Sequence, residues 1–228
     1  IASLGHGEGN YRGSPLVADL NKDGEPEIVW STWNRVHVAT WKGRTRWSRS
    51  ISGRNFSGAV LGDLNGDGYR EIVVGDNQGN LHAFNHKGES LQGWPQTVCM
   101  GADIRSLACA DVDADGKEEV VAFSSLTDRG LQPNMYMFEG DGRVIRGFPH
   151  YRPGDPFLGG GYKQAGGFNC SLAVGDITGD GRKEMVCTQD YGSVVVWQAN
   201  GRPVQAAPDQ QAQRGEAAQH QRRGRRER

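Results

Sequence analysis

The chain has 228 residues, enough for one sizeable domain or a short repeat array, and it is rich in glycine, with 34 residues. Its formal net charge of −1 is uneven, because seven arginines outnumber three acids after residue 201 and leave a mildly acidic body. That balance argues against nucleic-acid binding by the body. No apolar stretch is long enough for a membrane-spanning helix.

Four similar segments follow one another along the chain. In order they read VADLNKDGEPEIVW from Val17, VLGDLNGDGYREIVV from Val60, CADVDADGKEEVVA from Cys109 and AVGDITGDGRKEMVC from Ala173. Their first aspartates are Asp19, Asp63, Asp111 and Asp176, at spacings of 44, 48 and 65 residues. Self-similarity of this kind indicates a repeat architecture.

Each segment predicts a strand, an acidic loop and a second strand. An alternating segment follows (VHVATW, LHAFNH, MYMFEG or VVVWQA), then a glycine turn and a fourth strand that ends near an aromatic in the first three copies. We label the four strands A to D. A four-stranded unit of about 40–50 residues in tandem is typical of a propeller blade. The tryptophans at repeat-equivalent positions are predicted to form inter-blade core: Trp41, Trp47, Trp94 and Trp197.

The predicted fold class is therefore all-β, a β-propeller with about four visible four-stranded blades in residues 1–208. The blades span about 14–50, 56–96, 104–149 and 169–208. Residues 209–228 carry no aromatic or β-branched side chain and are expected to form a disordered basic tail. The start at Ile1 and the irregular fourth blade favour a piece of a larger ring of seven or eight blades. A closed ring of four blades is the alternative.

The acidic loop reads D-x-[D/N/T]-x-D-G-x-x-E in every copy. Positions 1, 3 and 5 direct oxygens to one centre as the chain curls, and glycine at position 6 permits the sharp turn. Calcium takes six to eight hard oxygen ligands with loose geometry, so we predict Ca²⁺ sites. The candidate ligands are Asp19, Asn21, Asp23 and Glu27; Asp63, Asn65, Asp67 and Glu71; Asp111, Asp113, Asp115 and Glu119; and Asp176, Thr178, Asp180 and Glu184.

The acidic loops have two alternative explanations. Asp, Asn and Gly favour turns in any case, but four copies with the same acids at the same offsets argue for more than a turn. An EF-hand needs glutamate at position 12, where this chain has Trp30, Val74, Ala122 or Cys187. The fourth loop is the weakest, because Thr178 replaces a carboxylate or amide oxygen.

With these motifs the repeats resemble the FG-GAP/VCBS family, over roughly residues 10–205. The resemblance implies the propeller of integrin α-subunits and of many bacterial surface proteins, with calcium bound in the loop between strands A and B. It also implies an extracellular or cell-surface location. The chain departs from the family pattern in showing only about four blades.

Because a blade is an antiparallel meander, the A–B loops and C–D turns share one face. The B–C turns and the connections between blades share the other face, where the two long insertions of blade 3 fall. Long loops on a rigid scaffold are common sites of binding. The candidate ligand-binding residues there are Trp33, Tyr151, Arg152, Phe157, Tyr162 and Tyr191. A plain connector is the alternative for the second insertion.

No histidine repeats beside a serine or cysteine nucleophile, so the sequence favours a non-enzymatic surface or secreted scaffold over an enzyme. Its expected role is calcium-stabilised adhesion or binding to a protein or glycan partner. The alternative is the propeller domain of a calcium-dependent polysaccharide lyase, similar to rhamnogalacturonan lyases. A lyase would need a basic residue beside a calcium that contacts substrate, whereas the predicted calcium loops lie opposite the insertions.

Overall fold

The computed structural model describes residues 13–98, 103–124, 135–145, 172–188, 194–202 and 204. Within these ranges the chain is all-β, with fourteen strands arranged in four separate antiparallel sheets. No helix in the described part of the chain is long and apolar enough to cross a membrane. Each sheet holds one acidic loop, and the predicted all-β class is confirmed.

The strands of each blade follow one another in sequence order, as expected of a meander. Blades 1 and 2 contain β1 Leu16–Ala18, β2 Glu27–Thr32, β3 Arg35–Thr40 and β4 Thr45–Ser50, then β5 Ala59–Gly62, β6 Glu71–Gly75, β7 Asn80–Phe84 and β8 Gln96–Thr97. Blades 3 and 4 contain β9 Ile104–Ala110, β10 Glu119–Ser124 and β11 Met135–Phe138, then β12 Leu172–Gly175, β13 Glu184–Thr188 and β14 Val194–Trp197. Phe148, at the predicted end of the fourth strand of blade 3, lies outside the described residues.

The middle blades bury both faces of their strands. In β6, Ile72 and Val74 belong to the apolar cluster shared with blade 1, while Val73 belongs to the cluster shared with blade 3. Side chains on successive residues of a strand point to opposite faces, so a sheet packed on both sides needs a continuous apolar run. This explains why the second strands read IVV and VVAF instead of alternating with polar residues.

Three apolar clusters join the blades in chain order: blade 1 to blade 2, blade 2 to blade 3, and blade 3 to blade 4. Among the described residues, no such cluster joins blade 4 back to blade 1. Val17 on blade 1 and Val194 on blade 4 remain 67% and 63% exposed. The four blades therefore form an open arc and not a closed ring within the described residues.

A tryptophan in or just before the last strand fastens each of the first two blades to the next. Trp47 packs on Phe84 with 6.2 Å between ring centroids, and its indole Nε1 donates to the His86 carbonyl at 2.9 Å. Trp94 repeats this one blade later, with Phe138 at 5.8 Å and the Gly140 carbonyl at 2.9 Å. These residues are buried, as predicted, because the indole ring fills the inter-blade core while its N–H reaches a turn.

The same prediction is wrong for Trp41, which is 52% exposed. This residue lies in the turn after β3 and not in a strand. Its ring carries the Lys42 ammonium at 4.8 Å from the ring centroid. Trp41 therefore contributes to the surface of the C–D turn and not to the core.

Gly140 of blade 3 packs directly against the backbone of blade 2. A Cβ built on this residue would overlap the backbone carbonyl oxygen of Leu64. We therefore expect Gly140→Ala to destabilise the fold by about 1–3 kcal/mol, because the two blades must separate to admit the methyl group. Chemical denaturation of Gly140→Ala and of the control variant Gly175→Ala, each compared with the wild type, measures the loss of folding free energy. Gly175→Ala is the control, since a Cβ there meets nothing within 4 Å, and an equal loss in the two variants would contradict the expectation.

Candidate metal centre

The four acidic loops connect the first and second strands of their blades. They are loop 1 (19–27), loop 2 (63–71), loop 3 (111–119) and loop 4 (176–184). Every metal ligand predicted from sequence lies within the described residues. Adjacent loops and turns touch at this end of the blades: the Lys22 ammonium donates to the Asp67 carbonyl at 3.2 Å, and Lys42 pairs with Glu25 at 2.9 Å. The C–D turns therefore lie beside the acidic loops, as meander topology predicts.

The loops share one pattern of internal hydrogen bonds. The aspartate at position 1 accepts from the glycine N–H at position 6, at 2.8 Å in loops 1 and 2, 3.2 Å in loop 3 and 2.9 Å in loop 4. The aspartate at position 5 accepts from the N–H at position 7, at 2.8 Å in loops 1 to 3 and 2.9 Å in loop 4. Backbone donors thus fix the carboxylates at positions 1 and 5 on the inside of the curl.

Two backbone positions in each loop are left-handed. Position 6 is glycine throughout, as the sequence requires, with φ between 79° and 90°. Position 4 is left-handed as well, although it holds Lys22 in loop 1 and Ala114 in loop 3, with φ of 59° and 66°. The sequence does not predict a left-handed residue at position 4, because lysine and alanine in loops 1 and 3 give no sign of it. In loops 2 and 4 the same conformation is adopted freely by Gly66 and Gly179.

The glutamate at position 9 begins the second strand and is buried in every blade. The four residues Glu27, Glu71, Glu119 and Glu184 are between 0% and 2% exposed. Each accepts a hydrogen bond through Oε2 from the backbone N–H at position 2, at 2.8–3.0 Å. The carboxylate therefore ties the two ends of the loop together. Its other oxygen is left to face the loop.

Burial governs the protonation of two of these glutamates. It raises the pKa of Glu71 to about 7, with a backbone hydrogen bond from Leu64 opposing and the charges of Asp67 and Asp63 adding. Burial also raises the pKa of Glu119 to about 7, with Val112 opposing and Asp113 among the acids that add to the rise. Both carboxyls are therefore poised to lose a proton when a cation arrives.

Loop 3 has the strongest donor set. One carboxylate oxygen from each of Asp111, Asp113 and Asp115 lies within 4.8 Å of the others. Glu119 Oε1 is buried and accepts no hydrogen bond from the described residues. A hard cation would satisfy that orphaned oxygen and neutralise the three aspartates. The donor chemistry, carboxylate oxygens without nitrogen or sulfur, fits Ca²⁺.

A further acid near loop 3 was not foreseen from sequence. Burial raises the pKa of Glu139, in the C–D turn of blade 3; Arg143 opposes the rise, and the charges of Asp113 and Asp115 add to it. Glu139 is therefore close enough to this loop for electrostatic interaction. The other blades have Thr40, Asn85 and Gln198 at the equivalent turn position.

Loops 1 and 4 place a protein group beside the second glutamate oxygen, a hydroxyl hydrogen bond in loop 4 and, in loop 1, an ion pair without hydrogen-bond geometry. In loop 4 the Thr178 hydroxyl lies 3.3 Å from Glu184 Oε1 and donates to it. In loop 1 the Arg46 guanidinium lies 2.8 Å from Glu27 Oε1 and donates to Asp23 Oδ2 at 3.0 Å. The pKa of Asp23 is lowered by the Glu25 backbone N–H, then by Asn21, and less strongly by Arg46.

We expect Asp115→Ala to weaken calcium binding more than Thr178→Ala. Asp115 is one of three clustered carboxylates, whereas Thr178 offers a neutral hydroxyl already donated to a glutamate. Loss of a direct carboxylate ligand should cost loop 3 at least about tenfold in affinity, since even outer-shell changes cost about 10–100-fold. Isothermal titration with calcium resolves the two variants, and equal losses would contradict the ranking.

Of the predicted ligand-binding residues, only Trp33 is described. The Arg54 guanidinium stacks over its indole at 4.0 Å, and the Asn55 N–H donates to its carbonyl at 2.7 Å. This places Trp33 at the end of the blades opposite the acidic loops. The other candidates, Tyr151, Arg152, Phe157, Tyr162 and Tyr191, lie outside the described residues.

Asp76, at the same end as Trp33, organises a buried polar network. Its carboxylate is fully buried and joins the B–C turn of blade 2 to the segment that enters from blade 1. Burial would raise its pKa, but hydrogen bonds from His82, Asn80 and Ser52 hold that pKa well below the usual range. The donors and their shortest distances are Ser52 Oγ 2.8 Å, Gly53 N 3.1 Å, Gln78 N 2.9 Å, Asn80 N 2.9 Å, Asn80 Nδ2 3.1 Å and His82 Nε2 3.1 Å.

This Ser52, His82 and Asp76 cluster does not have the geometry of a catalytic triad. His82 Nε2 contacts both Asp76 Oδ2 at 3.1 Å and Ser52 Oγ at 3.3 Å. In a triad the two ring nitrogens divide these partners, one facing the acid and the other the nucleophile. Ser52 also donates directly to Asp76, so the cluster has a structural role.

These blades and their loops define a β-propeller repeat unit with an acidic A–B loop. The family of FG-GAP-like repeats matches residues 19–74 and 63–122, which cover the first three loops. The chain therefore carries FG-GAP-like repeats, and the resemblance seen in the sequence is confirmed. A search of curated proteins found no match.

Solved structures share the fold at low sequence identity. The biofilm matrix protein Bap1 of V. cholerae matches with a TM-score of 0.55 and 20% identity, over 83% of this chain and 27% of Bap1. BBS1N in its complex with ARL6DN matches with a TM-score of 0.58 and 9% identity, over 90% of this chain and 58% of BBS1N. The designed Ika4 protein matches with a TM-score of 0.54 and 13% identity, over 85% of this chain and 93% of Ika4. The chain thus spans about a quarter of Bap1 and just over half of BBS1N.

Proposed function

We propose that this chain is a non-enzymatic, calcium-stabilised propeller scaffold that acts outside the cell or at its surface in adhesion or ligand binding. The observation that carries the proposal is the repeated acidic loop. The same two backbone-fixed aspartates, at positions 1 and 5, recur in four blades. Loop 3 adds a third clustered aspartate and a buried glutamate oxygen without a hydrogen-bond donor. Such loops resist compaction until a cation neutralises them.

The loop end has the character of a support and not of a substrate site. Backbone N–H groups and the position 9 glutamates hold the acidic side chains in place, so a cation bound in a loop would lock the A–B connection of that blade. Calcium there would rigidify the strands that carry the opposite end. The similarity of the fold to a biofilm matrix protein is in keeping with an extracellular scaffold.

The opposite end is the proposed binding face. It carries Trp33 under the Arg54 guanidinium, and the sequence places Tyr151, Phe157 and Tyr162 in the connection that enters the same end. Aromatic side chains offer a large contact area at low conformational cost, and they suit sugar rings or protein surfaces. The proposed partner is a glycan or a protein.

The test is a binding screen on a printed glycan array and on immobilised matrix proteins, with calcium present. Replacement of Tyr151, Phe157 and Tyr162 together by alanine should abolish binding to any glycan or protein that the wild type retains. Calcium affinity should not change, because the metal loops lie at the other end of the strands. Retained binding by the triple variant would contradict the proposed face. Calcium-dependent release of unsaturated sugars from pectin would contradict the non-enzymatic role.

A further inference from the structure

Loop 1 differs from the other acidic loops in having an internal cation. Arg46 Nη2 lies 2.8 Å from Glu27 Oε1 and 3.0 Å from Asp23 Oδ2, so one guanidinium bridges two of the four predicted metal ligands. Glu27 is buried, and the Arg46 side chain is about one-third exposed, at 34%. An arginine held in this position supplies the positive charge that a metal would otherwise bring.

Arg46 has no charged counterpart in the other three blades. In all four blades the first residue of the C–D turn donates its N–H to the carbonyl four residues later, which aligns Thr40, Asn85, Glu139 and Gln198. Six residues after these come Arg46, Leu91, Ile145 and Val204. Leu91 and Ile145 pack against the inter-blade clusters. The backbone N–H groups of Leu91, Ile145 and Val204 donate to the residues two positions before the aligned ones, whereas in blade 1 the residue two before Thr40, Val38, pairs with Trp47. Trp47 therefore takes the apolar place in blade 1, and Arg46 is an additional residue without a counterpart in the other blades.

The backbone of blade 1 helps to aim this arginine. Val38 pairs with Trp47 and Ala39 pairs with Thr45, so Arg46 is the extra residue of a β-bulge between β3 and β4. Bulges re-aim side chains and frequently occur next to sites. At the bulge, Trp47 remains buried in the core while Arg46 turns toward the loop.

The remaining cations near loop 1 are engaged elsewhere. Lys22 reaches across to the Asp67 carbonyl and the ring of Tyr69, and Lys42 pairs with Glu25 outside the ligand set. Arg46 is thus the cation that meets the ligand oxygens of loop 1 among the described residues. Loop 1 also carries one carboxylate fewer than loop 3, because Asn21 stands at position 3.

We propose that Arg46 is a built-in replacement for the metal in loop 1, so that calcium binds in other loops of the wild-type chain but not in this one. A divalent ion entering loop 1 would meet a guanidinium at contact distance from two of its ligands. It would have to expel this charge and break its hydrogen bond. Loops 2 to 4 have no corresponding arginine at that position. This inference refines the proposed calcium function and rests on it.

The test counts calcium ions per full-length chain by equilibrium dialysis with radioactive calcium and by titration calorimetry. Asp19→Ala in the wild type should leave the number bound unchanged, because loop 1 is not a metal site. Arg46→Leu, which removes the guanidinium and keeps an apolar side chain there, should raise the number by one. Asp19→Ala added to Arg46→Leu should remove the gain and so assign it to loop 1. Arg44→Leu, with the same loss of charge two residues away, should add no site.

The outcomes separate this inference from the calcium proposal. If Asp19→Ala lowers the wild-type number by one, loop 1 binds calcium and the inference is wrong, while the calcium function stands. If the wild type binds no calcium, the proposed function fails, and the inference that depends on it fails too. The Asp19→Ala measurement does not require an Arg46 variant to fold, and Arg46→Gln provides a smaller change should Arg46→Leu be unstable.

Discussion

Millimolar calcium is expected to raise the melting temperature of this chain by about 8–16 °C. At tenfold saturation each site stabilises the fold by about 1.4 kcal/mol, so loops 2, 3 and 4 together would contribute about 4 kcal/mol. For a chain of this size, each kcal/mol corresponds to about 2–4 °C. Thermal unfolding after exhaustive chelation, followed by return of calcium, measures the effect. Magnesium at equal concentration should restore little, because it demands a tight octahedron that these loops do not supply.

The calcium effect should also grow with pH. Burial raises the pKa of Glu71 and Glu119 to about 7 in the calcium-free protein. Because the folded state then binds more protons than the unfolded chain between about pH 4.5 and 7, its stability falls as the pH rises through that window. Below about pH 7 calcium must displace a proton from each carboxyl, whereas above it the ligands are already charged.

Melting curves with and without calcium, at about pH 5.5 and about pH 8, therefore provide a matched comparison. The gap between the two curves should be larger at the higher pH. Glu119→Gln is the control variant, because an amide at this position cannot titrate and should flatten part of the pH dependence. An unchanged melting curve after chelation would refute the calcium assignment. An equal gap at both pH values would refute the role of the buried glutamates.

Asp76→Ala is expected to lose about 3–5 kcal/mol of folding free energy, the largest effect of any single substitution described above. The fully buried carboxylate accepts hydrogen bonds from two backbone segments and three side chains. Removing it leaves those donors buried without an acceptor. Chemical denaturation at neutral pH measures the loss, and the exposed turn residue Asp141 serves as the control, with Asp141→Ala costing less than about 1 kcal/mol.

The acid dependence of this network follows from its depressed pKa. The stabilisation by Asp76 is present above the pKa of the unfolded chain, about 3.9, and is lost as the pH falls toward the folded value. Calcium affinity should stay at its wild-type level in Asp76→Ala, because Asp76 and Glu71 stand at opposite ends of β6, about 15 Å apart. A loss of less than about 1 kcal/mol would show that water replaces the carboxylate.

The features that the sequence could predict are local ones. A loop such as 111–119 brings five acids together within nine residues, four of them candidate ligands, and its curl depends on a glycine at one fixed place. The positions of the candidate ligands therefore follow from spacing alone. The strands and their grouping into blades followed in the same way, since runs such as IVV and VVAF between turns repeat at each copy.

What the sequence alone did not reveal depends on which residues meet across the strands and between blades. Trp41 and Trp47 both read as core, but Trp41 falls in a turn and faces solvent while Trp47 falls in a strand that blade 2 covers. In the sequence Asp76 is only a turn residue. The structure shows that Ser52 and Gly53, in the segment entering from blade 1, donate hydrogen bonds to its carboxylate. Such contacts join residues more than twenty positions apart, and no local periodicity encodes them.

The acidic loops show the division most clearly. The sequence by itself determined where each loop lies and which oxygens it offers, because those atoms are held by a nine-residue turn and its own backbone donors. Neither Glu27 Oε1 nor Glu119 Oε1 accepts a hydrogen bond, and only the tertiary structure decided that Glu27 forms an ion pair with an arginine while Glu119 forms none among the described residues. Arg46 lies nineteen residues from Glu27 along the chain, and it reaches the loop through strand pairing and a β-bulge. Its charge therefore counts at that site only once blade 1 has folded.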